Sequence, residues 1–188
     1  MKKVVVLLAA VLCAFPAFAG NKGILKLSLW DDVAVAVPNN TDYVTGINIG
    51  IGANTDKVDG IQWDAIVSKA GTVRGINTSW IYAKSSEVYG IQGALVSVND
   101  NELIGLQHGL LNISNGKTTG VELGWINIDH NYMKGAQLGI YNQVADLHGL
   151  QLGFVNNAKH ISKGLQIGLV NIAKNGWFPV MVLVNGRF

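Results

Sequence analysis

Cysteine, proline and charge are all scarce in this chain. Its 188 residues include one cysteine, three prolines and 14% charged residues. The cysteine, Cys13, lies within an apolar N-terminal run, so the rest of the chain has no thiol with which to form a disulfide. A domain of this length can instead be held together by burial and backbone pairing. The run itself, Val4 to Ala14, is well short of the roughly twenty residues that a membrane-spanning helix needs.

The N-terminus has the pattern of a secretory signal peptide. Lys2 and Lys3 precede the apolar run, and Ala17-Phe18-Ala19 forms a small-x-small cleavage site before Gly20. Leu12 stands directly before Cys13, where a lipoprotein signal would carry a small residue, so lipidation is not favoured. Residues 1–19 are therefore predicted to be a cleaved signal peptide, and the protein is predicted to be exported.

Charge and local motifs exclude several function classes. Without Lys2 and Lys3, the basic and acidic side chains are equal in number, which gives no electrostatic case for nucleic acid or anionic lipid. The chain has neither a Gly-x-Ser-x-Gly nucleophile motif nor a glycine loop ending in Lys-Ser or Lys-Thr. We predict no enzymatic activity, no catalytic residue, no cofactor and no nucleic-acid partner, and the sequence identifies no small-molecule substrate.

A short repeat dominates the remainder of the chain. A glycine followed by an apolar residue and then an amide or acid returns every fourteen or fifteen residues. The nine glycines are Gly46, Gly60, Gly75, Gly90, Gly105, Gly120, Gly135, Gly149 and Gly164. Periodicity of this kind over two thirds of a chain is typical of a solenoid or another repeat architecture.

The residues within one unit predict a strand, a corner and a second strand. Counting the glycine as position zero, apolar and polar residues alternate at first, which indicates a β-strand. Positions five and six are both bulky, as in Trp125-Ile126 and Leu169-Val170, so the chain must bend there. The last five units then carry an asparagine at position seven. Stacked units should align these amides in hydrogen-bonded ladders and bury their apolar sides against their neighbours.

These patterns predict an all-β chain folded as a β-solenoid of about nine coils of 14–15 residues with non-repeat caps. Residues 20–45 are the predicted N-terminal cap strands, 46–175 the repeat array and 176–188 a C-terminal strand. Pro38-Asn39-Asn40 is predicted to end the first cap with a turn. An antiparallel transmembrane β-barrel is the alternative, because Val180, Val182, Val184 and Phe188 resemble a terminal barrel strand.

The units resemble those of a poorly characterised family of bacterial surface-repeat proteins, which look like G-V-Q-I-G-L-V-N-V-A. The segment Gly164-Leu165-Gln166-Ile167-Gly168-Leu169-Val170-Asn171-Ile172-Ala173 matches this phrase almost residue for residue. Units before Gly105 lack the asparagine at position seven. The resemblance implies an exported, surface-associated protein and carries over no catalytic residue.

Few residues suggest chemistry. His130, Asp146 and His160 occupy similar positions in neighbouring units, where imidazoles and a carboxylate could bind a transition metal, although solvated turn residues are the simpler interpretation. Asp64 and Glu122 break the pattern four units apart, too far for paired acid-base work. Trp80 and Trp125, at position five, are expected in the core or against lipid, and the position of Trp63 is left open.

The sequence thus predicts an exported repeat protein of the cell surface or outer membrane with a structural or interaction role. The partner is an unknown surface component or the outer membrane itself. The alternative is a small outer-membrane barrel or pore.

Overall fold

The computed structural model describes residues 22–30, 33–37 and 42–188, with the backbone alone for 33–37. The predicted signal peptide, residues 1–19, and the predicted turn at Pro38-Asn39-Asn40 lie outside these residues. The described chain is all-β, and its seven strands are β1 (Lys22–Trp30), β2 (Val33–Val37), β3 (Tyr43–Ser79), β4 (Tyr82–Gly93), β5 (Val96–Ser114), β6 (Lys117–Ala173) and β7 (Val180–Arg187). Within these residues, the chain forms no helix of the length and apolar character that a membrane crossing requires.

Successive coils pair in parallel, with a step of about one repeat. Ile76 in β3 lies beside Ile91 in β4, which lies beside Leu106 in β5, and Leu106 lies beside Val121 in β6. Each residue therefore stacks on its counterpart in the next coil, as a solenoid requires and an antiparallel array does not allow. The predicted β-solenoid is confirmed. The number of coils, about nine from the glycines, stays a prediction.

The repeat glycines form a column in which no other residue fits. Gly75, Gly90, Gly105 and Gly120 pair in register, and each has a positive φ between 135° and 145°. A Cβ on any of them would press on the carbonyl oxygen of the preceding glycine at less than 3.0 Å. Glycine is therefore required both by the backbone conformation and by the close approach of neighbouring coils.

The structure has the predicted corner at positions five and six. Trp80 and Ile81 lie between β3 and β4, and both side chains are exposed. Trp125 and Ile126 are also both exposed, although they follow each other within β6. Two adjacent side chains of a straight strand would point to opposite faces, so a shared exposure requires the chain to turn.

The expectation that each unit buries its apolar side is wrong. The amides of position two face inward and are fully buried, whereas Ile47 and Ile61 at position one are each 44% exposed. Alternation divides a strand into two faces without deciding which is inside. The amide face can be buried because its amides donate hydrogen bonds, as Gln62 does to Ser68 within a coil and Gln151 to Gln137 between coils, which offsets most of the cost of burying polar groups.

An apolar core remains, built from residues near the end of each unit. One cluster combines Val58, Val73, Val88 and Leu103, each two residues before a repeat glycine, with Ala70. A second cluster contains Met133, Val144, Leu147, Ala158, Ile161 and Ala173. No residue from 104 to 132, a stretch of about two coils, belongs to either cluster, so the two clusters are separated by a polar section of the interior.

Antiparallel strands lie at both ends of the stack. β1 pairs in parallel with the start of β3 and carries β2 antiparallel on its other side. β7 pairs antiparallel with residues 164–172 of β6, and a register shift falls between Gly168 and Asn171. Leu183, opposite Gly168, has a φ of 68°. That left-handed conformation marks the irregularity in this pairing.

Candidate functional site: an apolar edge and a buried carboxyl pair

The corner residues of the coils line up as a continuous exposed ridge, which we call the apolar edge. It consists of the position-five side chains Trp80, Leu95, Leu110, Trp125, Ile140, Phe154 and Leu169, all of which are exposed. Trp80 and Trp125 are 67% and 63% exposed, so neither lies in the core. Exposed apolar side chains flank the ridge at positions three and six, among them Leu123, Ile126, Leu152 and Val170. A contiguous apolar patch of this kind usually marks an interaction surface.

A shallow groove of about 650 Å³ lies along the N-terminal end of the apolar edge. His108 is one of the lining residues, and its ring lies so close to Gly93 that a Cβ on Gly93 would collide with it. Trp80 and Leu110 are among the groove's lining residues. Trp63 contacts Trp80 edge to face, with ring centroids 6.2 Å apart. The sequence did not indicate where Trp63 lies, and the structure places it on this aromatic surface.

Behind the edge, the asparagines of position seven form the asparagine ladder, Asn112, Asn127, Asn142, Asn156 and Asn171. Each Nδ2 except that of the last rung, Asn171, donates to the Oδ1 of the next asparagine at 2.8 to 2.9 Å. Each also donates to a backbone carbonyl, as Asn142 does to Leu152 at 3.0 Å. Asn112, the first rung, has an Oδ1 with no partner, because the preceding coil supplies no asparagine there.

The position-two side chains form a second ladder that runs in the opposite direction, the glutamine ladder of Glu122, Gln137, Gln151 and Gln166. Here each Nε2 donates backward, from Gln166 to Gln151 and from Gln151 to Gln137 at 2.8 and 2.7 Å. The unpaired acceptor is consequently at the far end, on Gln166 Oε1. Both predicted ladders are thus present, and they hold the coils in one register.

Removal of one ladder rung should be costly. Replacing Asn142 with alanine deletes two donated hydrogen bonds and the one accepted from Asn127, and it leaves a cavity. We expect the free energy of unfolding to fall by about 3 kcal/mol, measured by urea unfolding. Asn115→Ala is the matched control, since Asn115 is exposed and bonds only Asp100 through its side chain, and it should change stability by less than about 0.5 kcal/mol. Equal losses in the two variants would contradict a structural role for the ladder.

Glu122 begins the glutamine ladder and belongs to a buried carboxyl pair with Asp129. Their side chains are 0% and 1% exposed, and the Glu122 charge acts on Asp129. Thr118 is buried in the same coil, two residues before Gly120, where most units have an apolar side chain. Asp129 Oδ1 accepts a hydrogen bond from the Asn131 backbone N–H at 2.9 Å, and the Thr118 hydroxyl lies close enough to influence both carboxyls. These residues lie in the polar section that separates the two apolar clusters.

Burial favours the protonated form of Glu122, while hydrogen bonds from Gln137 and Ser114 act in the opposite direction. Ser114 Oγ lies 3.0 Å from Gln107 Oε1 and 2.8 Å from Glu122 Oε1. The hydroxyl has one proton and can donate to only one of these oxygens, so the second contact is satisfied when Glu122 itself donates. Burial raises the pKa of Glu122. It also raises the pKa of Asp129 to about 8, and any charge that Glu122 carries acts in the same direction.

Asp64 is a separate buried carboxyl near the N-terminal end. Burial raises its pKa to about 6, while hydrogen bonds from Ser68 and Gln62 and the charge of Lys26 act in the opposite direction. Lys26 is also buried, and its Nζ donates to the Asn54 carbonyl at 2.9 Å. Asp64 and Glu122 thus have different partners in different coils, and the structure provides no paired site between them.

The candidate metal ligands do not assemble. His130 and His160 are exposed, and Asp146 accepts hydrogen bonds from the Ser162 hydroxyl at 2.8 and 3.0 Å. Across the described residues, no group of three His, Cys, Asp or Glu side chains is placed to bind a metal ion. The three residues are polar side chains of the links between coils.

Comparison with known proteins finds no family model, no curated protein and no solved structure that matches this chain.

Proposed function

We propose that this chain is an exported repeat protein of the bacterial cell surface or outer membrane, with a structural or interaction role and no catalytic activity. The fold is compatible with a structural or surface repeat protein. The observation that carries the proposal is the apolar edge. Seven coils present one large apolar side chain each at the same corner, on a scaffold whose interior amides are hydrogen-bonded to one another.

Such a scaffold suits binding to an extended surface better than binding to a small molecule. The ladders keep the coils in register, so the spacing of the edge residues is set by the backbone and does not depend on a partner. The edge is convex and its groove is shallow, whereas small-molecule sites are usually concave and enclosing. The proposed partner is therefore a surface component or the membrane.

Export is tested by expressing the full chain in a Gram-negative bacterium and determining where it accumulates and where it begins. We expect a mature N-terminus at Gly20, recovery with the envelope, and release from membranes by carbonate or urea. Ala19→Arg, which places a large charged residue at the cleavage site, should accumulate uncleaved precursor. Uncleaved wild-type protein in the cytoplasm would contradict the proposal.

A further inference from the structure

We propose that the apolar edge of residues 104–188 binds the surface of a lipid bilayer that contains anionic lipids. This inference names the partner of the surface in the proposed function and so rests on that function. The edge in this half comprises Leu110, Trp125, Ile140, Phe154 and Leu169. Trp177 and Phe178, just before β7, are also exposed. Aromatic and aliphatic side chains together are the residues that enter the boundary between lipid headgroups and acyl chains.

Charge is distributed unequally along the solenoid, although the whole chain is nearly neutral. Residues 104–188, all of which the structure describes, expose the cationic side chains of Lys117, Lys134, Lys159, Lys163, Lys174 and Arg187. Of the three acidic side chains in the same half, Glu122 and Asp129 are buried and only Asp146 reaches the surface. The outside of this half is therefore strongly basic, which the overall composition conceals.

The lysines lie along both sides of the apolar surface. Lys134 and Lys163 directly precede repeat glycines and are exposed next to the apolar column of position one. Lys159 and Lys174 occupy position ten, exposed on the face beyond the corner. An apolar ridge bordered by cations matches an anionic bilayer, because the ridge can enter the interface while the lysines meet the headgroups.

The N-terminal half has a similar ridge without this charge. Trp80 and Leu95 continue the apolar edge, but Asp56, Asp59, Glu87, Asp100 and Glu102 are at the surface of residues 42–103. Lys84 is paired with Asp100 at 2.9 Å, so its charge is partly neutralised. Lys57, Lys69, Arg74 and Lys84 are the cations of this half, and its surface acids outnumber them. The same chain thus provides an internal control in which apolar exposure is present and a net basic border is not.

Binding is measured by flotation of the purified protein with vesicles of phosphatidylcholine alone or mixed with phosphatidylglycerol. We expect binding to the mixed vesicles, weakened by salt. Combined replacement of Trp125, Phe154 and Leu169 by glutamine should lower the partition coefficient about tenfold or more. Lys134→Gln and Lys163→Gln should each lower it roughly fivefold. The control pair Trp80→Gln and Leu95→Gln should have a much smaller effect.

These side chains are exposed, so the variants should retain the circular dichroism spectrum of the parent. Absence of binding to mixed vesicles, or equal losses from the two halves of the edge, would overturn the inference. A third outcome would also overturn it. If the protein associated with itself in a concentration-dependent way without vesicles, and the edge variants abolished this association, the edge would be an interface between copies of this chain. Because the experiment uses purified protein and defined lipids, its result does not depend on export. The lipid-binding inference and the proposed export can therefore be contradicted separately.

Discussion

Replacing Asp129 with asparagine should stabilise the protein by about 3 to 5 kcal/mol at pH 8 and change its stability little near pH 4. The buried carboxyl holds its proton to a pKa of about 8 in the folded chain, compared with an ordinary value of 3.8. A difference of about four pKa units corresponds to on the order of 5 kcal/mol, and local relaxation of the coil would reduce this. Asparagine has a similar shape and remains neutral at every pH.

The direction in which stability changes with pH follows from the number of protons bound by the folded and unfolded chains. Between pH 4 and pH 8 the folded chain keeps a proton on Asp129 that the unfolded chain has released, so the free energy of unfolding falls as the pH rises. The stabilising contribution is complete below the unfolded pKa and is lost as the pH passes through the folded one. Glu122 and Asp64 also have raised pKa values and act in the same direction. The parent protein is therefore expected to be more stable in mild acid than in mild alkali.

Urea unfolding at a series of pH values checks this. The curves of free energy against pH should diverge between parent and Asp129→Asn as the pH rises from 4 to 8. Asp146→Asn is the control, because Asp146 is a surface carboxylate bonded to Ser162, and its curve should stay parallel to that of the parent. If the Asp129→Asn curve also stayed parallel, the buried carboxyl would not be protonated in the folded state.

A single methyl group added to the glycine column should lower the free energy of unfolding by an amount similar to the loss that the buried carboxyl causes at high pH. Gly120→Ala would place a Cβ against the carbonyl oxygen of Gly105 at a φ of 140°. Neither atom belongs to a side chain that can move away, and alanine is strained in that backbone conformation. We expect a loss of more than about 4 kcal/mol in the free energy of unfolding.

Gly52→Ala is the matched control for this substitution. Gly52 is buried, and the nearest atoms that its added Cβ would meet all belong to the Trp30 ring, with the closest carbon at 3.2 Å. A small shift of that ring accommodates the methyl group, so the change in stability should stay below about 1 kcal/mol. Thermal unfolding followed by circular dichroism distinguishes the two variants. Comparable melting temperatures would show that neighbouring coils can separate at Gly120 without penalty.

The repeat alone predicted the solenoid, the corner and both ladders, because each depends on spacing. It did not predict which face is inside. Ile61 and Gln62 alternate equally well with either side buried, and the usual preference for apolar interiors favours the wrong one. The ladders decide the outcome, since Gln166 and Gln151 satisfy each other only when stacked away from water. Hydrogen bonding across coils is not visible in a single unit.

The buried carboxyl pair was missed for a related reason. Glu122 attracted notice as a departure from the amides of position two, but it was compared with Asp64, four units away. Its actual neighbours Thr118 and Asp129 replace apolar or small residues at other positions of the same coil. Alignment of all inward positions by coil would have shown three departures together. The basic half was likewise hidden, because a total charge does not record which acids are buried.

The stacking of equivalent residues in successive coils also limits how the length of the encoding gene can change. The coils of the last five units meet their neighbours through the same glycine, amide and asparagine columns, so an in-frame duplication of the DNA encoding one of them would insert a unit that already fits on both sides. A duplication covering part of a coil would break every column at once. Natural variants of this protein should therefore differ in length by whole coils, and the apolar edge would lengthen or shorten with them.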